Sequence, residues 1–396
     1  MDADILDLTD RTAGKEASSR VALVHDYLTQ RGGAERVVLA MAGAFPAAPL
    51  YTSLYHPGST FPAFRGIDVR TSPIDRAALL RRHHRLAFPL LAPAMSRMRV
   101  DADIALCSSS GWAHGVAATG RKIVYCHTPA RWLYQSDRYL EGMPSAAGVA
   151  LRSAGPLLRR WDVRAARSAD CYLVNSTVVR DRVRLLYQIE PEVLPPPMTF
   201  QVEGEAKPVE GLEGGFMLSV SRLLPYKNVG PIVDAFRQLP AQRLVVAGAG
   251  PLLEDLRAKA PANVTLLGAV DDATLRWLYR SCLGLVAASY EDFGLTPVEA
   301  AAFGKPTTAL RWGGFLDTVI DGVTGTFFDE PSAGLIASAI SELLDQHWDP
   351  RRLIDHAERF STGRFQDCLR KLVSEVIRGE STGRKVDPST SSSVRS

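Results

Sequence analysis

Charge of one sign, long apolar runs and paired cysteines are all scarce in this chain, and each shortage removes a class of protein. The 396 residues carry 46 basic and 43 acidic side chains, a net charge of only +3. No nucleic-acid motif accompanies so small an excess, so a nucleic-acid partner is not expected. The longest apolar run, Leu86 to Met95, holds two prolines and is too short to span a bilayer. The first 20 residues contain Asp2, Asp4, Asp7 and Asp10 and no apolar stretch, so no signal peptide is expected. The five cysteines, Cys107, Cys126, Cys171, Cys282 and Cys368, are widely spaced and form no Cys-x-x-Cys pair. Reduced, mostly buried thiols in a cytoplasmic protein are the expectation. The run Val246-Ala-Gly248-Ala-Gly250-Pro251 stops short of a full Gly-x-Gly-x-x-Gly. No acidic residue follows about 20 positions later at a strand end, which argues against a dinucleotide cofactor.

What is present is an ordinary globular composition, 46% apolar and 22% charged, over a length sufficient for two cores. The charge is uneven. Residues 1–200 hold 25 basic against 18 acidic side chains, and the remainder holds 21 against 25. A basic first half suits an acidic substrate or an anionic membrane surface. Short apolar runs alternate with helical patterns: Val21–Tyr27, Leu50–Tyr55, Ile104–Ser108, Ile123–Cys126 and Cys171–Asn175 read as strands. This is the βαβ rhythm of a parallel sheet covered on both faces. The proline triplet in Leu194-Pro-Pro-Pro-Met198 interrupts it, since it fits neither a helix interior nor a central strand. The rhythm then restarts at Phe216–Ser221, Leu244–Ala247, Val264–Leu267, Leu285–Ala288, Thr307–Leu310 and Gly325–Phe328. The expected fold is α/β with two Rossmann-like domains, residues 20–195 and 214–362, joined by a linker at 196–213. Residues 1–19 and 380–396 read as a disordered leader and tail.

Two glutamates carry the most chemistry. In Glu291-Asp-Phe-Gly-Leu-Thr-Pro-Val-Glu299 they straddle a strand-to-helix junction, because Gly294 and Pro297 end the strand and open a helix. Carboxylates at the C-terminal edge of a parallel sheet line the place where open α/β folds bind ligands, and each can accept paired hydroxyl hydrogen bonds from a polyol. Backbone N–H groups at a helix start suit an anion. Anion plus polyol describes a nucleotide sugar. In Ser221-Arg222-Leu-Leu-Pro-Tyr-Lys227-Asn228, Arg222 brings a planar fork for phosphate oxygens and Lys227 a compact positive charge. Alone this is an ordinary basic surface loop; beside Glu291 and Glu299 it reads as a diphosphate site.

Other candidates are Gly-rich turns or strand ends. Gly248 and Gly250 can let backbone approach a ligand, and so can Gly32 and Gly33 in Gln30-Arg31-Gly32-Gly33-Ala34-Glu35; each also reads as a plain tight turn. Trp312-Gly313-Gly314 carries the same pair of readings. His127, in Tyr125-Cys-His127-Thr-Pro-Ala-Arg131-Trp132, ends a strand and can point into a cleft; His25 and Asp26 end the first strand. The segment Arg81 to Arg99 is basic with an apolar middle, and reads equally as membrane-surface docking or as a solvated helix end beside a buried stretch.

Taken in order, Arg222 with Lys227 and then Glu291-x7-Glu299 resemble the family-4 retaining glycosyltransferases of GT-B fold, over about residues 20–378. The His25-Asp-Tyr and Tyr125-Cys-His-Thr-Pro-Ala-Arg-Trp-Leu-Tyr134 stretches are similar to a bacterial mannosyltransferase-like subgroup that acts in cell-surface polysaccharide assembly. The resemblance implies that Arg222 and Lys227 hold the donor diphosphate. It implies that Glu291 binds donor-sugar hydroxyls with help from the backbone N–H groups of Phe293, Gly294 and Leu295, and that Glu299 binds the ribose. It places His127 near the reacting carbon and Gly32 and Gly33 near the diphosphate. It also implies that the last helix, 363–379, packs back on the first domain.

The implied enzyme is a retaining hexosyltransferase. Its donor is a nucleoside diphosphate sugar, GDP-mannose by subgroup, and its acceptor a glycan or lipid-linked glycan. It needs neither cofactor nor metal, and sits in the cytoplasm with peripheral contact at the inner membrane face. Arg222 and Lys227 supply the positive charge that a metal otherwise brings to the leaving diphosphate. Asp101-Ala-Asp103 precedes a strand instead of following one, unlike the Asp-x-Asp of metal-dependent relatives. An epimerase on the same fold, or a silent nucleotide-sugar-binding subunit, are the alternatives that the residues leave open.

Overall fold

The computed structural model describes residues 20–134 and 145–380 of the chain, with the side chains of Arg85 and residues 145–152 left aside. Fifteen strands are assigned among them. In chain order they are β1 Val21–His25, β2 Leu50–Thr52, β3 Val69–Thr71, β4 Arg99–Val100, β5 Ile104–Ser109, β6 Ala117–Ala118, β7 Arg121–Cys126, β8 Cys171–Val174, β9 Glu192–Val193, β10 Phe216–Val220, β11 Leu244–Ala247, β12 Val264–Gly268, β13 Cys282–Ala287, β14 Thr307–Leu310 and β15 Gly325–Phe328. A seven-stranded sheet has the order β3-β2-β1-β5-β7-β8-β9, and a six-stranded sheet the order β12-β11-β10-β13-β14-β15. Every pairing is parallel. The expected two-domain α/β architecture is what forms.

The central strands explain the parallel pairing. All six residues of β5 are buried, as are all four of β8, β11 and β14. Strands buried on both faces need continuous apolar runs, and these sequences supply them. The strands that the sequence did not announce are short and at margins. β3 is an edge strand of Val-Arg-Thr, half exposed; β9 is two residues long; β4 pairs only with β6. A charged edge strand blunts unwanted pairing and for the same reason looks unlike a strand.

The chain crosses between domains twice, side by side. Met198 N donates to Phe360 O at 2.7 Å, and Met198 bridges Ser361. The helix Thr362–Arg378 then lies on the first domain. Phe365, Leu369, Leu372, Val373 and Val376 share one face, are buried, and join the cluster of Leu23, Val37, Met41 and Tyr125. At about 1.5–3 kcal/mol for each apolar side chain buried, this docking outweighs the two hydrogen bonds beside it, from Gln366 to Ala40 O and Arg370 to Ala44 O. Ser361 caps the helix start, and Gly379, with φ of 78°, ends it in the left-handed conformation. Cys107, Cys126, Cys171 and Cys282 are buried and Cys368, on this helix, is exposed.

Candidate active site

In the second sheet β10 is the point where strand order reverses: β11 and β12 lie to one side, β13 to β15 to the other. The loops leaving the C-terminal ends of β10 and β13 therefore bound a crevice, the usual ligand position in such sheets. The first of these loops carries Arg222 and Lys227, and the second carries Glu291. The two loops are tied together, since Asn228 Nδ2 donates to Ala288 O at 2.8 Å and Lys227 Nζ forms an ion pair with Glu291 Oε1. Ser289 Oγ donates to the same carboxylate oxygen at 3.2 Å. Lys227 also stands 5.0 Å over the Tyr226 ring. Arg222, by contrast, is exposed, with one contact at 3.4 Å to the Tyr226 hydroxyl. An ammonium paired with one carboxylate and, on the same loop, an exposed guanidinium thus stand at the C-terminal edge of the sheet.

Glu299 sits in the helix Thr296–Ala302, and its Oε2 accepts from Tyr279 Oη at 2.8 Å. Burial raises its pKa, with the Tyr279 hydrogen bond opposing. This helix has only seven residues, so its dipole contributes little. Arg222 and Lys227 are the positive charges that the neighbouring loop brings. Phe293 is buried against Phe360, ring centroids 5.8 Å apart, so only its backbone can reach a ligand. Gly294 has φ of 82°, and a Cβ there would meet the Phe315 ring. Leu295, half-buried, immediately precedes the Glu299 helix.

The glycines of β11's loop serve this same region from beneath. Gly248 has φ of 144°, its N–H donates to Gly268 O at 2.7 Å, and a Cβ would strike Ser221 O. A Cβ on Gly250 would strike the Leu223 backbone. Both glycines let the Arg222 loop seat directly on the neighbouring turn. Gly313 and Gly314 do likewise under Glu291 and Phe293.

In the first sheet order reverses between β1 and β5. Register places His25 opposite Ser108, and Ser108 opposite Tyr125, two residues before His127. His25 Nδ1 lies 3.1 Å from both Ser108 O and Ser108 Oγ, while Ser108 Oγ lies 2.7 Å from His127 Nε2. His25 Nε2 lies 3.8 Å from Glu35 Oε1. Burial opposes a charge on His25, but the Glu35 carboxylate outweighs it and raises the pKa. His127 goes the other way: burial and the neighbouring His25 push it down to about 3, so it is neutral at physiological pH. Asp26 is spent on structure, its carboxylate accepting backbone N–H groups of Ser110, Trp112 and Ala113 at 2.6, 3.1 and 2.6 Å. Gly32 leaves room for Glu35, whose Oε2 would lie 2.6 Å from an added Cβ; Gly33 has open space around it.

The two walls are clasped by Arg131, noted in the sequence beside His127, and by residues that the sequence reading passed over. Asp292, between the quoted Glu291 and Phe293, is buried and ion-paired with Arg131 after β7 and with Arg182 on the helix Thr177–Tyr187. Asp317 accepts from Thr177 N and Oγ1 at 2.9 and 3.0 Å. The signal for Asp292 was its place inside a motif whose other members had roles; nothing local marked Arg182 or Ser108. A separate row, Ser109 Oγ to His114 Nδ1 at 2.8 Å and His114 Nε2 to Asp162 Oδ1 at 3.0 Å, has the composition of a hydrolase triad. All three residues are fully buried, and Asp162 also accepts from the Tyr134 and Tyr187 hydroxyls. It braces the core and offers a substrate no access.

Two family models match successive parts of the chain: Glycosyltransferase Family 4 over residues 31–199 and Glycosyl transferases group 1 over residues 203–360. Together these two glycosyltransferase domains span most of the chain, and its fold is GT-B. Among curated relatives of this GT-B chain, the human alpha-1,3/1,6-mannosyltransferase ALG2 is 26% identical over 87% of this chain and 94% of its own. The D-inositol 3-phosphate glycosyltransferase of Mycobacterium leprae is 32% identical over 40% of this chain, and the match spans 41% of that relative's length. Among solved structures, Anabaena HepE in complex with UDP superposes with a TM-score of 0.65 at 17% identity, covering 90% of this chain and all of that one. Sucrose-phosphate synthase from Thermosynechococcus elongatus gives 0.63 at 18% identity, over 91% and 100%. These likenesses are of fold. Among the described residues, no helix of this GT-B protein is long and apolar enough to cross a membrane.

Proposed function

We propose that this GT-B protein is a retaining, metal-independent hexosyltransferase. It moves mannose from GDP-mannose to a glycan or lipid-linked glycan in cell-surface polysaccharide or glycolipid synthesis, working in the cytoplasm at the membrane face. One observation carries the reading: at the strand-order reversal of the second sheet, Lys227 is ion-paired with the Glu291 carboxylate, and Arg222 stands exposed on the same loop. As the bond between anomeric carbon and phosphate lengthens, the leaving diphosphate gains charge, and fixed cations aimed at it lower the barrier. The carboxylate suits the sugar's hydroxyls. On this reading His127 meets the donor from the other wall; the ion pairs of Asp292 with Arg131 and Arg182 tie the two walls together, and a closed cleft keeps out water, which competes as acceptor. The choice of mannose is supported by the likeness to human mannosyltransferase ALG2 along most of both chains. The choice of a nucleoside diphosphate donor is supported by the UDP and UDP-glucose complexes of HepE.

A thermal-shift panel of nucleoside diphosphate sugars tests the donor, because a ligand that binds the folded state raises its apparent stability. The expected result is a rise with GDP-mannose that is lost in Arg222→Ala. No shift with any nucleoside diphosphate would refute the reading. Product analysis with donor alone separates a transferase from an epimerase, which needs no acceptor.

A further inference from the structure

We infer that the row Glu35–His25–Ser108–His127 locks His127 in one tautomer, with its proton on Nδ1, so that its imidazole presents a hydrogen-bond donor to the substrate and cannot serve as a base. The substrate half of this inference rests on the transferase reading above; the lock itself stands on hydrogen-bond geometry alone. Ser108 O is an acceptor only, and it lies 3.1 Å from His25 Nδ1, so that nitrogen must carry a proton. The same N–H reaches Ser108 Oγ, also at 3.1 Å, making the hydroxyl oxygen an acceptor there. The single hydroxyl proton of Ser108 then has one destination among the described residues, His127 Nε2 at 2.7 Å. Were Nε2 protonated instead, it would donate to Ser108 Oγ, and the buried hydroxyl proton would be left without a partner. His127 is neutral, so its one proton sits on Nδ1. Glu35 completes the row. Its carboxylate, 3.8 Å from His25 Nε2, holds His25 in place and favours a doubly protonated ring.

Ser108 is the strand partner of His25, and the lock is therefore built into the parallel register of β1 with β5. The consequence is chemical. With Nε2 already accepting and Nδ1 already protonated, His127 has no lone pair to receive an acceptor's proton. Its Nδ1–H, which meets no hydrogen-bond partner among the described residues, is free to donate to an oxygen of the donor sugar. Glu35, His25 and Ser108 act through it as positioning residues.

Nitrogen-15 spectroscopy of the histidine side chains tests this on the whole chain, which has eight histidines. The His127 signals are assigned by their disappearance in His127→Gln. The expected wild-type spectrum shows one neutral tautomer with the proton on Nδ1. Ser108→Ala should give a mixture of the two, and Ser108→Thr, which keeps the hydroxyl, should restore the wild-type form. In turnover assays Ser108→Ala should lower kcat about five- to tenfold, the loss of one hydrogen bond, with recovery in Ser108→Thr. A proton on Nε2 in the wild type, or an unchanged tautomer ratio in a folded Ser108→Ala protein, overturns the inference. If the lock is found but no nucleoside diphosphate sugar is turned over, the lock stands and the transferase reading falls.

Discussion

The two walls of the cleft solve opposite electrostatic problems. On the first wall the ionisable groups are buried and face one another: His25, Glu35 and Ser108 are each at most 2% exposed, and the row they form is closed at the protein end. On the second wall one cation is exposed and the other, Lys227, is mostly buried beside its carboxylate. Arg222 is exposed with one weak contact, and among the described residues Lys227 is held by Glu291 and the Tyr226 ring. A closed network whose charges balance internally is ordered before any ligand arrives. A loosely held cation pair can exchange partners, and Lys227 must give up Glu291 to meet a phosphate. The comparison divides the labour. On the proposed transferase reading, the second wall supplies the charge that binds and stabilises the leaving group, and the first supplies geometry.

The sharpest way to break this comparison is to remove a cation from the second wall. Each charged hydrogen bond to a phosphate contributes about 1.5–3 kcal/mol, and about 1.4 kcal/mol is a factor of ten in rate. Lys227→Ala should show the largest loss of turnover, about a hundredfold, since it also leaves Glu291 without its counter-ion. Arg222→Ala should lose at least tenfold with an unchanged melting temperature, because nothing in the fold leans on its side chain. Near-normal turnover in both folded variants would assign the diphosphate elsewhere.

The clasp between the walls should matter more to stability than to chemistry. Asp292 is buried between Arg131 and Arg182, and burial alone would raise its pKa, but the two guanidinium groups hold it below the usual value of 3.8. A depressed carboxylate pKa gives stability that is fully present above the unfolded value and is lost as pH falls through the folded one. The wild type should therefore weaken as pH drops below about 4, and Asp292→Asn should flatten that part of the curve. Removing the charge also leaves two arginines unpaired. Full burial would make that cost about 3–5 kcal/mol; with Arg131 38% and Arg182 21% exposed, water recovers part of it. A loss of about 1–3 kcal/mol at neutral pH is expected by urea unfolding.

The same division explains what could be read from the chain alone. The charged wall was legible because its residues stand at strand ends in one short motif each: Arg222 and Lys227 after β10, Glu291 after β13. The buried strands were legible because a parallel sheet covered on both faces needs continuous apolar runs. The closed row was not. Ser108 looked like the polar end of an apolar strand, and its partners His25 and His127 lie 83 and 19 residues away. Only the register of β1, β5 and β7 brings them together, and register between distant parallel strands leaves no local trace. Arg182, in the middle of an arginine-rich helix, was hidden in the same way; its meaning depends on a carboxylate 110 residues on. The glycines were half legible. Their need for space was plain, but whether the space admits a ligand or the protein's own backbone was not, and at Gly248 and Gly250 it admits the Arg222 loop.

That last ambiguity persists at one position, and a small effect resolves it. Gly32 cannot be used as the probe, because a Cβ there would press on Glu35 and disturb the His127 row at the same time. Gly33 can. It begins the helix Gly33–Ala44, its φ is not in the left-handed region, and no atom lies within 4 Å of an added Cβ. As a pure turn residue it gains from Gly33→Ala: alanine is favoured in a helix by up to about 1 kcal/mol, less at the first position. The melting temperature should hold or rise slightly. If the β1 loop does approach the diphosphate, the new methyl group intrudes on the ligand alone, and KM for the donor should rise several-fold while stability does not fall. Unchanged kinetics would leave the first wall with His127 as its contact to the donor and make the β1 loop a turn and nothing more.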